Sequence, residues 1–273
     1  MGRERGQGDP ARKLVVPRLE EIFGDWRAYN IKRNDIEDYL ANFRTKIPSR
    51  SGKPRADATV KREHALLAAI FNRAVWRGRL TESPVWRIKP RKENNRRMRW
   101  ITEPEELALI AALPKRLCAL TKIAVHTGIR LGNLLDLLWT DISTELITIR
   151  KSKSGYSYQV PMNPVVLHEL ATLRDTGSEY VFAEARGSAR TNLIRYWPEA
   201  CRRAGISDFH FHDLRHTFAS RLVMKGVSLY TVSKLLGHTS IKTTERYAHL
   251  APNTLKQAVD RLSYSRPPET VLQ

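Results

Sequence analysis

Cysteine is almost missing from this 273-residue chain, with only Cys118 and Cys201 present, each in an apolar stretch of helical spacing. Two thiols in such settings build no disulfide scaffold and suit a reducing compartment. Long apolar runs are missing too. No uninterrupted stretch reaches the ~20 residues that span a bilayer, and the basic N-terminus lacks the apolar core of a signal peptide. The chain is therefore expected in the cytoplasm. Acidic side chains are scarce, 28 Asp and Glu against 47 Lys and Arg, a formal net charge of +19. That surplus calls for a polyanionic partner, nucleic acid first. A lipid surface would need an amphipathic terminal helix with a bulky apolar face, and the sequence offers none, which argues against a membrane partner.

The positive charge is uneven. Residues 1–99 hold 25 of the basic and 12 of the acidic side chains, leaving 22 against 16 for the rest. The first third thus carries most of the nonspecific pull on phosphates. Length predicts about two domains. Residues 1–18, rich in Gly, Arg and Pro, show no period and are expected to be disordered. Residues 19–88 form a helical domain, with Asn34 as N-cap before DIEDYLANF and a helix from about Asp57 to Trp76 ended by Gly78. Leu66, Ala69, Ile70, Phe71 and Ala74 are its expected core. The segment 89–99 holds six basic residues in eleven and reads as a linker along a phosphate backbone. Its Lys89, Arg91, Lys92, Arg96, Arg97 and Arg99, with Lys61 and Arg62 of the long helix, are the candidate DNA-binding residues.

A second domain spans 100–264, followed by a tail at 265–273. Thr102 and Glu105 have capping-box spacing ahead of a helix. A second helix, Leu117 to His126, stops at Gly128 and places Arg130 at the mouth of a short one. ELITIRKSKSGYSYQVPM reads as two short strands around a Gly-containing turn. Helices follow at about 163–174, 190–204, 213–225, 229–236, 240–249 and 253–263, with Asn163, Ser228 and Asn253 as caps. The expected class is mainly α, a small helical bundle plus a mostly helical domain with a small antiparallel sheet.

Five polar residues in this second domain suit one chemistry. His212 and Arg215 stand three apart in FHDLRHTFAS, His238 lies in KLLGHTS, Tyr247 in TTERYAHL, and Arg130 in HTGIRLGN. Arg presents an always protonated planar fork to the charge that builds on a phosphoryl centre. Tyrosine is a nucleophile, but with a pKa near 10 only about one in a thousand is ionised at neutral pH, so a base or cation must stand beside it. Cleavage of a phosphodiester by Tyr247 would store the bond energy as phosphotyrosine, and a Lys on a flexible stem suits protonation of the leaving 5′ oxygen. Each residue has a plainer reading. A His and an Arg one turn apart are often a surface pair, and Tyr247 alone would be a core aromatic. His210, His212 and His216 lack acidic or Cys ligands at matching spacing, which argues against a metal site. His216 and His249 could support the motif or merely pack. Leu214, Phe218 and Leu222 are expected on the core side of their helix, and Trp100, Trp139 and Trp197 in packing.

Taken together and in order, TGIR at Arg130, KSKSGYSYQVP at Lys153, HDLRH at 212–216, LGH at 236–238 and YAH at 247–249 resemble the tyrosine recombinases of the phage integrase family, over roughly residues 19–260. The resemblance implies Tyr247 as nucleophile, Arg130 and Arg215 as phosphate clamp, and His212 and His238 as a supporting acid/base and hydrogen-bonding pair. It selects Lys153, over its neighbours Lys151 and Arg150, as general acid. It further implies a SAM-like core-binding domain closing with the catalytic one as a C-shaped clamp, a 3′-phosphotyrosyl intermediate, and no metal, ATP or other cofactor. The implied partner is double-stranded DNA, which adds association with the nucleoid, with a homotetramer on two DNA sites exchanging strands through a Holliday junction. Accessory directionality or DNA-bending proteins are possible partners, and a helix around Asn253–Leu262 could dock on a neighbouring subunit. Two departures stand out: Asn133 replaces an acidic residue common in relatives, where it is expected to orient neighbours by neutral hydrogen bonds, and the front of the chain looks shortened. The alternatives are a type IB topoisomerase-like enzyme and a catalytically silent DNA-binding prophage remnant.

Overall fold

The computed structural model describes residues 10–45, 54–89, 98–150, 156–173, 177–252, 259–260 and 262. The chain divides into two compact units, Met1–Asn95 and Arg96–Gln273.

The first unit begins with helix α1, Pro10–Phe23, where the sequence led us to expect disorder through residue 18. Pro10 stands at the first helical position, where a missing N–H costs nothing, and Pro17 lies inside. No apolar period marks this helix; its far end is fixed by tertiary contacts. Leu19 and Phe23 pack on the unit's apolar cluster, and Arg18 donates to Glu63 at 2.7 Å and to the Tyr39 hydroxyl at 3.1 Å. Helix α2 is Arg33–Thr45. It starts ahead of Asn34 because Asp35 Oδ2 accepts the Lys32 backbone N–H at 2.7 Å, so Asp35 rather than Asn34 fixes the entry. Helix α3 is Asp57–Trp76, and Gly78 at φ 66° ends it as expected.

The buried stripe of α3 is Val60, Glu63, Leu67 and Phe71, facing Ile36, Tyr39, Leu40 and Phe43 of α2. This corrects the sequence expectation. Ile70 is 43% exposed, and Leu66 and Ala74 are only half-buried. The 3.6-residue period is intact, but one of its buried positions is a carboxylate. Glu63 is tolerated there because Arg18 and the Tyr39 hydroxyl both hydrogen-bond it, which a buried charge requires.

The second unit opens with the expected capping box, Glu105 N–H donating to Thr102 Oγ1 and Thr102 N–H to Glu105 Oε2, ahead of α4, Glu103–Ala112. Then come α5, Lys115–Thr127, the short α6, Leu131–Leu135, and the antiparallel pair β1, Leu146–Ile149, and β2, Tyr158–Pro161, in register Ile147 to Val160. Helices α7, Pro164–Leu173, and α8, Ala183–Arg203, follow, the latter starting seven residues ahead of the expected 190. Helices α9, Asp213–Met224, and α10, Leu229–Leu235, complete the α elements up to residue 252. The expected helix at 240–249 is instead two 3-10 turns, Ile241–Thr243 and Glu245–Leu250. Of the expected caps, Asn163 Oδ1 accepts from Val166 and Ser228 Oγ from Thr231; Asn253 lies outside the described residues.

Helix α9 runs between two apolar clusters. Leu214 belongs to the main one, with Leu109, Leu120, Ile123, Leu134 and Ile147, whereas Ala219 and Val223 join Val232, Leu236 and Tyr247 in the second. Phe218 and Leu222 pack on that second cluster half-buried, less deeply than the sequence implied. A helix buried nearly all round must satisfy its polar groups internally. Thr217 does so by donating to Asp213 O and accepting from Ile101 N–H. Glu106 of α4 accepts from Arg221 of α9 and faces His126 of α5 at 3.4 Å. Burial raises its pKa, but hydrogen bonds from His126 and Arg221 outweigh it and hold the carboxyl below its usual range. Three helices are thus pinned at one carboxylate, which holds the last turn of α9, the helix whose first turn carries the candidate site.

Candidate active site

The site is assembled on backbone turns. Helix α5 ends at Gly128, φ 64°, a conformation for which glycine is favoured; a Cβ there would lie 2.5 Å from Phe218 Cδ1 and 2.9 Å from Leu236 Cδ2. Immediately after, Arg130 stands as N-cap of α6. Arg215, on the first turn of α9, donates Nη1 to the Gly128 carbonyl at 2.7 Å and Nη2 to the Leu236 carbonyl at 2.6 Å. One guanidinium therefore ties the turn before Arg130 to the turn before His238. Gly237, φ 59°, is needed for closeness as well: a Cβ would lie 2.6 Å from the ring of Tyr158, which β2 lays across it. The Tyr158 hydroxyl is buried beside this cluster, within the reach of Arg215.

Arg215 is only 4% exposed. Burial and the nearby Arg130 pull its pKa down to about 10, against the opposing influence of Tyr158 and Tyr247. Two guanidiniums held this close repel unless an anion lies between them. The histidines feel the same field. Desolvation and Arg215 lower His212, although its surface is exposed, and His238, Nδ1 at 2.8 Å from Thr244 Oγ1, is lowered to about 4 by burial, Arg215, Arg130 and Arg246. Both rings are therefore neutral near pH 7.

Tyr247 is 2% exposed, and its hydroxyl lies 2.5 Å from His216 Nδ1. Burial raises its pKa while Arg246 and Arg215 oppose. His216 is itself lowered to about 4 by burial, then Arg246 and His212. With the imidazole neutral and its proton on Nε2, the phenol donates to Nδ1. So weak a base cannot ionise so reluctant a phenol, and the tyrosine rests protonated and shielded from solvent.

The depressed histidines set a pH dependence. The folded state resists protonation of His216 and His238 until about pH 4, while the unfolded chain takes up protons from about 6.5. Their contribution is full above pH 6.5 and is lost as pH falls toward 4. Melting temperature should drop across that window, and the double variant His216→Asn, His238→Asn should flatten the drop; an unchanged slope would exclude these rings as its source.

Of the sequence-predicted residues, Arg130, Arg215, His212, His238 and Tyr247 lie together, coupled electrostatically in the shifts above. Lys153 lies outside the described residues, as do Arg91, Lys92, Arg96 and Arg97. Lys89, Lys61 and Arg62 are exposed in the first unit. Arg99 is engaged locally, donating to Glu105 at 2.9 Å and to the Trp100 carbonyl. Asn133 does not orient neighbours through its amide nitrogen, which is buried without a partner. The sequence leaves His216 open between supporting the motif and packing, and gives no sign of Thr244, Tyr158 or Arg246. The signal for His216 was its place beside Arg215; Thr244 and Tyr158 become partners only through the fold. Among the described residues no cluster of three His, Cys, Asp or Glu could hold a metal ion, and no helix is long and apolar enough to cross a membrane.

Residues 99–254 match the model of the phage integrase family. The integrase of Salmonella phage P22 is 33% identical over 75% of this chain, although the chain spans only 57% of that integrase. A tyrosine recombinase of Thermosipho africanus is 30% identical over 85% of both chains. Among solved structures, a lambda integrase tetramer bound to a Holliday junction is 25% identical, with a TM-score of 0.68 over 86% of this chain and 73% of that one.

Proposed function

We propose, since this chain belongs to the phage integrase family, that it is a site-specific DNA recombinase that cuts and rejoins strands through a 3′-phosphotyrosyl intermediate. The observation that carries the reading is the paired cation: Arg215, almost fully buried and pulled down to about 10 beside Arg130, next to a buried tyrosine. That arrangement repels itself when empty and is relieved by a phosphodiester.

Arg130 and Arg215 hold the non-bridging oxygens and offset the charge that builds there. The Tyr247 oxygen attacks phosphorus, its phenol proton passes to one of the neutral histidines of the pair, His212 or His238, the Tyr–O–P bond forms, and the bond to the 5′ oxygen breaks. Lys153 gives that oxygen its proton, and His238 and His212, neutral in the resting protein, hydrogen-bond the phosphate. Rejoining is the same step reversed with a 5′-hydroxyl as nucleophile. Because Tyr247 rests against His216, DNA binding must free its hydroxyl before attack. The helical first unit and the basic segment 89–99 grip duplex DNA, and the lambda integrase tetramer on a Holliday junction supports four copies acting on two sites.

A nicked suicide duplex carrying the recombination site should trap an SDS-resistant adduct whose DNA maps to the Tyr247 peptide by mass spectrometry. No adduct, or one on another residue, would overturn the reading. Lys153→Ala should slow cleavage of the natural strand by about 10²-fold or more, yet barely slow a strand with a 5′-thio leaving group, which needs little protonation. Equal slowing on both removes Lys153 from the acid role.

A further inference from the structure

The first unit contains a cavity of about 540 Å³ between the 3-10 turn Ala28–Asn30, the start of α2 and the loop after α3. Its size is that of a small-ligand site. The lining is unusual for a solvated loop. Arg79 and Arg87 face it with no ion-pair partner among the described residues, alongside Lys32, whose Nζ donates to the Tyr29 carbonyl, and Arg33, paired with Glu37. Glu82 is the one acidic side chain in the lining, so the balance is positive. Tyr29 and Trp86, also in the lining, are 59% and 60% exposed.

Two features suit the cavity to a ligand. Ser83 is 8% exposed, lines the cavity, and its buried Oγ has no hydrogen-bond partner. A buried hydroxyl left unpaired carries a desolvation cost. Arg87 sits at φ 68°, in the left-handed region that non-glycine residues avoid. Such strain clusters at binding sites, and here it fixes a cation directly after Trp86.

We infer that this cavity takes one unpaired nucleotide of DNA, its base stacked on the Trp86 ring and its phosphate held by Arg79 and Arg87. Duplex DNA offers its phosphates but keeps its base faces stacked, so exposed aromatics beside cations select a single strand. The inference rests on the recombinase reading, because strand exchange parts a cleaved strand from its complement and so exposes unpaired bases.

The full-length protein is titrated by fluorescence anisotropy with a labelled oligothymidine 12-mer and with the matching duplex. Trp86→Ala should weaken the single strand about tenfold, the worth of one base stack, and leave the duplex within about twofold. Trp86→Phe keeps a π face and should restore most of the loss. Arg79→Glu should weaken the single strand and reduce its salt dependence. Equal loss on both DNAs, or none on either, overturns the proposal, as does failure of Trp86→Phe to restore binding. Free dTMP binding as tightly as the oligonucleotide would assign the cavity to a free nucleotide and overturn the strand assignment. Failure of the recombinase reading shows separately, as absence of a Tyr247 adduct from the wild type.

Discussion

Tyr247→Phe is expected to remain folded and DNA-bound and to form no detectable covalent adduct. The phenol oxygen is the atom that would bond phosphorus, and phenylalanine offers no substitute. Loss of the nucleophile should cost on the order of 10⁵-fold or more in cleavage, since no other step in the proposed path bypasses the covalent bond. The ring would keep its place among Ala219, Val223, Val232 and Leu236. Among the described residues the hydroxyl hydrogen-bonds His216. Removing it strands one imidazole nitrogen but also spares the burial of a polar oxygen, so stability should change by no more than about 1 kcal/mol. An SDS gel with the nicked substrate reads the first effect and thermal denaturation the second. Residual adduct in the variant would place the nucleophile elsewhere, and a large fall in melting temperature would make Tyr247 chiefly a packing residue.

How far the sequence reveals such a site depends on the range over which each residue acts. Caps and breakers act within a few residues, which is why Thr102 with Glu105, Gly128, Asn163 and Ser228 were read correctly. The short strands and α9 carry strong local patterns and were also legible. Misreadings arose where a distant partner reverses the local rule. Glu63 disguises the buried stripe of α3, and it is buried only because Arg18 and Tyr39 reach it from other helices. Helix α1 lacks a period and is held by the same ion pair. At the site, residue types and order pointed to Arg130, Arg215, His212, His238 and Tyr247, which the fold brings within electrostatic reach of one another, because phosphoryl chemistry calls for those groups. The histidine that holds Tyr247 in the resting protein was less visible, since a contact across 31 residues depends on how the 3-10 turn Glu245–Leu250 lies on α9.

Arg215→Ala should be the most damaging substitution after Tyr247→Phe, and it should damage fold and chemistry together. The guanidinium satisfies two buried carbonyls, Gly128 O and Leu236 O. Truncation leaves both unpaired and opens a void between the turns, for a combined loss of about 3–5 kcal/mol. Part of this is offset, because the substitution also removes a buried charge that Arg130 repels. Cleavage should fall by about 10³-fold, as for the loss of a preorganised donor to a transition-state oxygen. Arg215→Lys restores charge but not the fork, so it cannot serve two carbonyls and a phosphate at once and should recover little. The two roles separate on a substrate whose scissile phosphate is a neutral methylphosphonate. There the charge to be offset is gone, so the Arg215→Ala defect should shrink by an order of magnitude or more if Arg215 acts on the phosphate. A purely structural Arg215 predicts the same defect on both substrates, because displaced turns would misplace Arg130 and His238 whatever the phosphate carries. The guanidinium can serve both purposes because its two bonds to backbone carbonyls leave its remaining N–H groups for an oxygen anion, and those bonds hold the fork rigid before DNA arrives.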